Sequence, residues 1–114
     1  MLPQKHRISR RFFDDVFSKG QFFSGEHLSG KILKSNNETL PQFAVVAQKK
    51  GLKRAVDRNR LRRRVYSAIT PLLPHLKTGF AIIIFARPSL LAIDFLSLQT
   101  MLVNLLKHHN LYND

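Results

Sequence analysis

Residues 79–88 read Gly79-Phe80-Ala81-Ile82-Ile83-Ile84-Phe85-Ala86-Arg87-Pro88. The apolar run from Phe80 to Ala86 is too short for a helix, and its consecutive isoleucines, stiff at Cβ, favour extended backbone. It therefore reads as a buried strand, opened by Gly79 and ended at Pro88. Upstream, Leu61, Val65, Ala68 and Ile69 recur at helical spacing, with Asn59, Arg60, Arg62, Arg63 and Arg64 spread over the remaining surface. This predicts a basic helix that stops at Thr70-Pro71, because proline disfavours a helical residue before it and has no N–H to continue the ladder. Before the basic helix, Phe43-Ala44-Val45-Val46-Ala47 reads as another strand. A strand, a helix and a buried strand in succession point to a crossover connection, which the general rule makes right-handed.

The outer elements follow from the same reasoning. Ser9 is placed to cap a helix over about 10–18 and Gly20 to end it, with Phe12, Phe13, Val16 and Phe17 on one stripe. From Phe22 to Lys34 the pattern is extended, interrupted by Gly25 and Gly30. Ser35-Asn36-Asn37-Glu38 then reads as a turn, so that the strands flanking it are expected to pair as a hairpin. A last helix over about 94–109 places Phe95, Leu98, Leu102, Leu105 and Leu106 on one face. The predicted order is α-β-β-β-α-β-α, an α/β (α+β) two-layer sandwich with one sheet of about four strands. At 114 residues with 44% hydrophobic composition, the chain is expected to be a single domain (1–114), with residues 1–8 a flexible basic tail.

The expectation of RNA rests on charge. Nineteen Lys and Arg stand against seven Asp and Glu, a net charge of +12. Nine of those cations lie between Lys49 and Arg64, against the single acid Asp57. Self-repulsion at that density calls for a polyanion, and arginine, dominant from Arg58 onward, matches phosphate oxygens with its planar fork. A smaller cluster, Lys5, Arg7, Arg10 and Arg11, precedes the first helix. A membrane surface is the lesser alternative, since no apolar run approaches the ~20 residues of a spanning helix. The stretch Leu90 to Leu106 is interrupted by Asp94, Gln99 and Asn104. No apolar segment follows the basic N-terminal residues as in a secretory signal. With no cysteine, the reading is a cytoplasmic protein without thiolate chemistry.

Catalytic or metal-binding residues are not expected in this chain. Its acids are scattered, and the neighbours Asp14 and Asp15 fall within an amphipathic helical pattern. His108 and His109 are adjacent, so on a helix they diverge by about 100° and cannot clamp one ion. Neither a glycine-rich phosphate loop nor a nucleophile elbow is present.

Lys49-Lys50, followed by Lys53-Arg54-Ala55-Val56-Asp57-Arg58-Asn59-Arg60-Leu61-Arg62-Arg63, closely resembles the signature of the bacterial ribonuclease P protein subunit. The helix Phe13-x-x-Val16-Phe17-x-x-Gly20, the strand Ile83-Ile84-Phe85-Ala86-Arg87 and the leucine-rich final helix stand in that family's order, so the resemblance spans nearly the whole chain. Gln48 departs from it, where a small residue is usual, as do Tyr66-Ser67, where a basic-acidic pair is common. The resemblance implies a left-handed crossover for the basic helix, against the general rule. It also implies the accessory subunit of a ribonucleoprotein endoribonuclease that removes 5′ leaders from precursor tRNA. The catalytic RNA subunit would carry the chemistry and bind most of the Mg²⁺, and no obligate protein partner would be required. On the same basis Lys53, Arg54, Arg58, Asn59, Arg60, Arg62 and Arg63 would dock on the RNA subunit, while Phe13, Phe17, Lys49 and Lys50 would bind the leader. The alternative is a ribosomal or general RNA-binding protein without a catalytic RNA partner.

Overall fold

The structure, a computed structural model, describes residues 2–35, 40–49 and 51–113. The strand read at Phe80–Ala86 (β4) is buried at every residue but Phe85, which is half-buried. It carries apolar side chains on both faces and accordingly lies inside the sheet. Its neighbours are β2 (Leu28–Lys34), antiparallel with Ile32 opposite Ile82, and β3 (Gln42–Ala47), parallel with Phe43 opposite Ile82. β1 (Gln21–Ser24) adds to the far side of β2, giving the sheet order β1-β2-β4-β3.

The hairpin expected across residues 35–38 is therefore corrected: β2 and β3 do not pair, because β4 inserts between them. Turn residues specify a reversal of direction, whereas the choice of partner went to the strand with the most apolar surface to cover. Residues 36–38 of that turn lie outside the described residues. The hairpin that does form joins β1 to β2 through Gly25-Glu26-His27, with the Gly25 N–H donating to Leu28 O at 2.8 Å. Gly30, expected to interrupt the extended segment, instead sits within β2. There a Cβ would lie 2.0 Å from Ile83 O and 2.6 Å from the Phe23 ring. Phe23 is laid across this bare backbone, so Gly30→Ala should cost about 1–3 kcal/mol through overpacking. A thermal melt should show it as a fall of roughly 5–15 °C, and an unchanged midpoint would mean that the ring has free space to move into.

Helices cover both faces of the sheet. α2 (Ala55–Ile69) and α3 (Phe95–His108) close the larger core, in which Leu61, Val65, Leu98 and Leu102 meet Phe43, Ile82 and Ile84. α1 (Arg10–Lys19) covers part of the other face, seating fully buried Val16 against Ala81 and Ile83. The α+β class, the four strands and the element order agree with the sequence reading, and β3-α2-β4 is the crossover between parallel neighbours. Ser9 caps α1 as expected, its Oγ accepting from Phe12 N at 3.2 Å. Asp94 caps α3, accepting from Ser97 N and Oγ, and these bonds hold its carboxyl below the usual carboxylate range.

The flexible tail expected at the N-terminus is also corrected. Leu2 is 2% exposed, and His6 is buried with Nδ1 donating to Pro41 O at 2.8 Å. Arg7 bridges to Phe43 in parallel register, and Ile8 N donates to Phe43 O. β3 is an edge strand whose outward N–H and C=O groups need partners, and Arg7 and Ile8 supply them at Phe43. Leu2, His6 and Ile8, single residues among charges, make no periodic signal. Farther along the edge, Val45 N donates to the Tyr66 hydroxyl at 3.1 Å. Tyr66, a departure from the family pattern, thus has a structural task.

At the end of α3, His109 packs on Phe23 with ring centroids 5.8 Å apart. Burial, with His108 and Lys34 nearby, lowers its pKa from 6.5. The unfolded chain then takes up this proton first, so the stability contributed by neutral His109 is present above about pH 6.5 and is lost as pH falls below it. Melting midpoints at pH 7.5 and 5.5 should differ less in His109→Phe than in the wild type. Equal differences would place the pH response elsewhere.

Candidate nucleic-acid interface

α2 turns Leu61, Val65, Ala68 and Ile69 into the core, which leaves Val56, Asn59, Arg60, Arg63 and Ser67 exposed on the opposite side. Its cations fall into distinct groups. Arg60 and Arg63 are exposed, and their side chains, like those of Lys49 and Lys53, make no hydrogen bond or ion pair among the described residues. Arg62 Nη2 donates to Asn59 Oδ1, which braces both side chains on the surface. Arg54 pairs with Asp57 at 3.3 Å, an exposed contact of small energetic weight. Arg58 and Arg64 point back into the chain. Arg58 Nη1 donates to Leu52 O at 2.9 Å and Lys53 O at 2.8 Å, while Arg64 Nη2 donates to Ile93 O and ties α2 to the approach to α3. Lys50 lies outside the described residues.

A hollow of about 700 Å³ opens on this face, lined by Arg7, Val56, Asn59, Arg62, Arg63 and Tyr66. Three arginines thus line one concavity, and a guanidinium is a side chain whose planar paired donors match phosphate oxygens. Arg7 belongs to the small N-terminal cluster, and its convergence on α2 depends on residues 2–8 lying along β3.

The second site lies on the opposite face of the sheet, between α1 and the strands. Phe13 and Phe17, i and i+4 on α1, stack with centroids 6.3 Å apart and planes 15° apart. Phe17 also meets Phe85 edge-on at 6.1 Å and remains 48% exposed. Lys31 Nζ stands 4.8 Å from the Phe17 ring centre and donates to Phe17 O at 2.6 Å, anchoring the end of α1 to β2. Beyond α1 the sheet offers Ser29, Phe85 and Val46 side by side across β2, β4 and β3. Phe12 is half-buried and Val16 buried, so α1 keeps its sheet contact while Phe17 faces outward. Phe85 as part of this aromatic group was missed in the sequence, where it reads simply as part of a buried run.

Among the described residues no group of three or more His, Asp or Glu side chains could hold a metal ion. Among them, too, no helix is long and apolar enough to cross a membrane.

The ribonuclease P family model matches residues 2–110. The chain belongs to the ribonuclease P protein family. It is 40% identical over 85 residues to the ribonuclease P protein component of Pseudanabaena sp. (strain PCC 6903), covering 74% of this chain and 73% of that protein. With the component from Synechococcus sp. (strain JA-3-3Ab) it shares 37% identity over 118 residues, covering 97% and 91% of the two chains. The fold is similar to that of a Staphylococcus aureus RNase P protein mutant, with a TM-score of 0.78 at 21% identity and coverage of 94% and 90%. It is similar also to the RNase P protein of Thermotoga maritima, with a TM-score of 0.74 at 25% identity and coverage of 87% and 92%. As a ribonuclease P protein component, the chain is part of an endoribonuclease of tRNA processing, which decides against the ribosomal alternative.

Proposed function

We propose that this chain works in the cytoplasm with a catalytic RNA subunit to remove the 5′ leader from precursor tRNA, the RNA and its Mg²⁺ ions carrying the chemistry. Asn59, Arg60, Arg62 and Arg63, with Lys53 and Arg54 at the start of α2 and Arg7 beside it, dock on that RNA. Phe13 and Phe17 receive unpaired leader bases, and Lys49 and Lys50 meet the leader phosphates. The observation that carries this reading is the pairing of two unlike surfaces around one sheet. A cation-rich helix lies on one face, packed on β3, and an aromatic group on the other, held by β2 and β4. Base-on-aromatic contacts tolerate any sequence, as a leader of variable sequence requires.

Among the described residues the scattered acids offer no ligand set for Mg²⁺, so no step is assigned to a metal on the protein. Its cations offset phosphate repulsion that Mg²⁺ would otherwise have to screen. The test is cleavage of precursor tRNA with and without the cognate RNA subunit. The protein alone should leave the substrate intact and should stimulate the RNA most at low Mg²⁺, with the stimulation shrinking as Mg²⁺ rises. Metal-dependent cleavage by rigorously purified protein lacking RNA would overturn the proposal.

A further inference from the structure

The segment from Lys49 to Arg54 follows β3 and leads into the basic helix α2. Leu52 N donates to Lys49 O at 3.2 Å to close a turn. Gly51 has φ +88°, a conformation that side chains disfavour, and its Cβ direction is blocked 3.1 Å away by Pro88 Cγ. The N-cap position of α2 is Arg54, which makes no side-chain capping bond. The chain therefore enters the helix without the usual local lock. What holds it is Arg58, one turn into the helix, which directs both protons of a single guanidinium nitrogen to the consecutive carbonyls of Leu52 and Lys53. Lys49 and Lys53 then project, without partners among the described residues, from a frame fixed at Gly51 on one side and by Arg58 on the other.

We infer that Arg58, the first arginine of the Arg-Asn-Arg triplet, is a positioning residue for the backbone at Leu52 and Lys53, to which Lys49 is tied by the Leu52 N–Lys49 O bond, and not a group that docks on RNA phosphate. It acts through the lysines that its bonds hold in place. The inference rests on the proposed function only where those lysines are said to meet the leader.

The test compares Arg58→Ala and Arg58→Lys with Arg60→Ala in the full chain. Amide exchange of residues 51–54 is measured on the free protein, and the salt dependence of binding on its complex with the catalytic RNA. Arg58→Ala should speed exchange of the loop about tenfold or more by opening it locally. It should leave the slope of log K against log salt within roughly 0.3 of the wild type, whereas Arg60→Ala should lower the slope by about 0.9 without moving the loop. Arg58→Lys keeps the charge, but its ammonium ends one bond nearer the backbone than the Arg58 Nη1 that reaches Leu52 O and Lys53 O, so its loop should also exchange faster; this variant decides the matter should Arg58→Ala fail to fold. A slope lowered by about 0.9 in Arg58→Ala with unchanged loop exchange would make Arg58 a docking group and overturn the inference. The ratio of precursor to mature tRNA affinity separates this inference from the functional reading. A freed loop with a lower ratio supports both, while a freed loop with an unchanged ratio supports the positioning role and removes Lys49 from the leader site.

Discussion

Phe17→Ala should weaken binding of precursor tRNA to the assembled ribonucleoprotein by roughly 5- to 150-fold, the equivalent of losing one base stacked on an aromatic ring at about 1–3 kcal/mol. Mature tRNA, which lacks the leader, should bind almost as before. The ring is suited to this role because it is 48% exposed, held by Phe13 and Phe85, and therefore presents a rigid apolar surface to solvent. Stability should suffer little, since the buried contact of α1 with the sheet is made by Val16 at 0% exposure. Equilibrium binding of both tRNA forms, with a thermal melt of the free protein, checks the expectation. Equal weakening for the two tRNAs, or a midpoint lowered by many degrees, would assign Phe17 to the core.

Replacing Arg60, Arg62 and Arg63 together by alanine should have the larger effect on assembly with the RNA subunit. If each arginine neutralises one phosphate, the slope of log K against log salt falls by about 2.7. Between 50 and 200 mM salt, the loss of affinity should then be about 40-fold smaller in the variant than in the wild type. These side chains lie on the solvent side of α2, away from Leu61 and Val65, so the fold should persist and far-UV circular dichroism should be unchanged. Filter binding across a salt series measures the slope. An unchanged slope would show that these arginines form a solvated face only, and would move the docking surface elsewhere.

Lys49 and Phe17, far apart in the chain, show how unevenly the site could be read from sequence. The cation density of α2 and the helical spacing of Phe13 and Phe17 are local properties, visible in any window that includes them. Arg7 reads as a charge but not as lining one hollow with Arg62 and Arg63, because that arrangement depends on how an edge strand is covered. Phe85 was hidden for a similar reason. In a run of uniformly apolar residues, period-two alternation is masked, so the one side chain left half-open by α1 carries no distinguishing mark.

The sequence by itself determined the elements and their order. Ser9 as a cap, Gly20 and Thr70-Pro71 as stops, the isoleucine-rich strand and the apolar stripe of α2 act over a few residues, where backbone sterics and hydrogen bonding within one turn suffice. Tertiary structure alone decided that β4 separates β2 from β3 and that residues 2–8 lie along β3. It also decided which arginines of α2 remain available. Arg58 bonds to carbonyls in the loop before the helix and Arg64 to one in the approach to α3, while Arg60 and Arg63, on the same helix and of the same chemistry, remain exposed to solvent. The difference lies in which backbone acceptors stand within reach once distant segments have packed, and buried or crowded carbonyls take the nearest donor whatever other task its charge could serve.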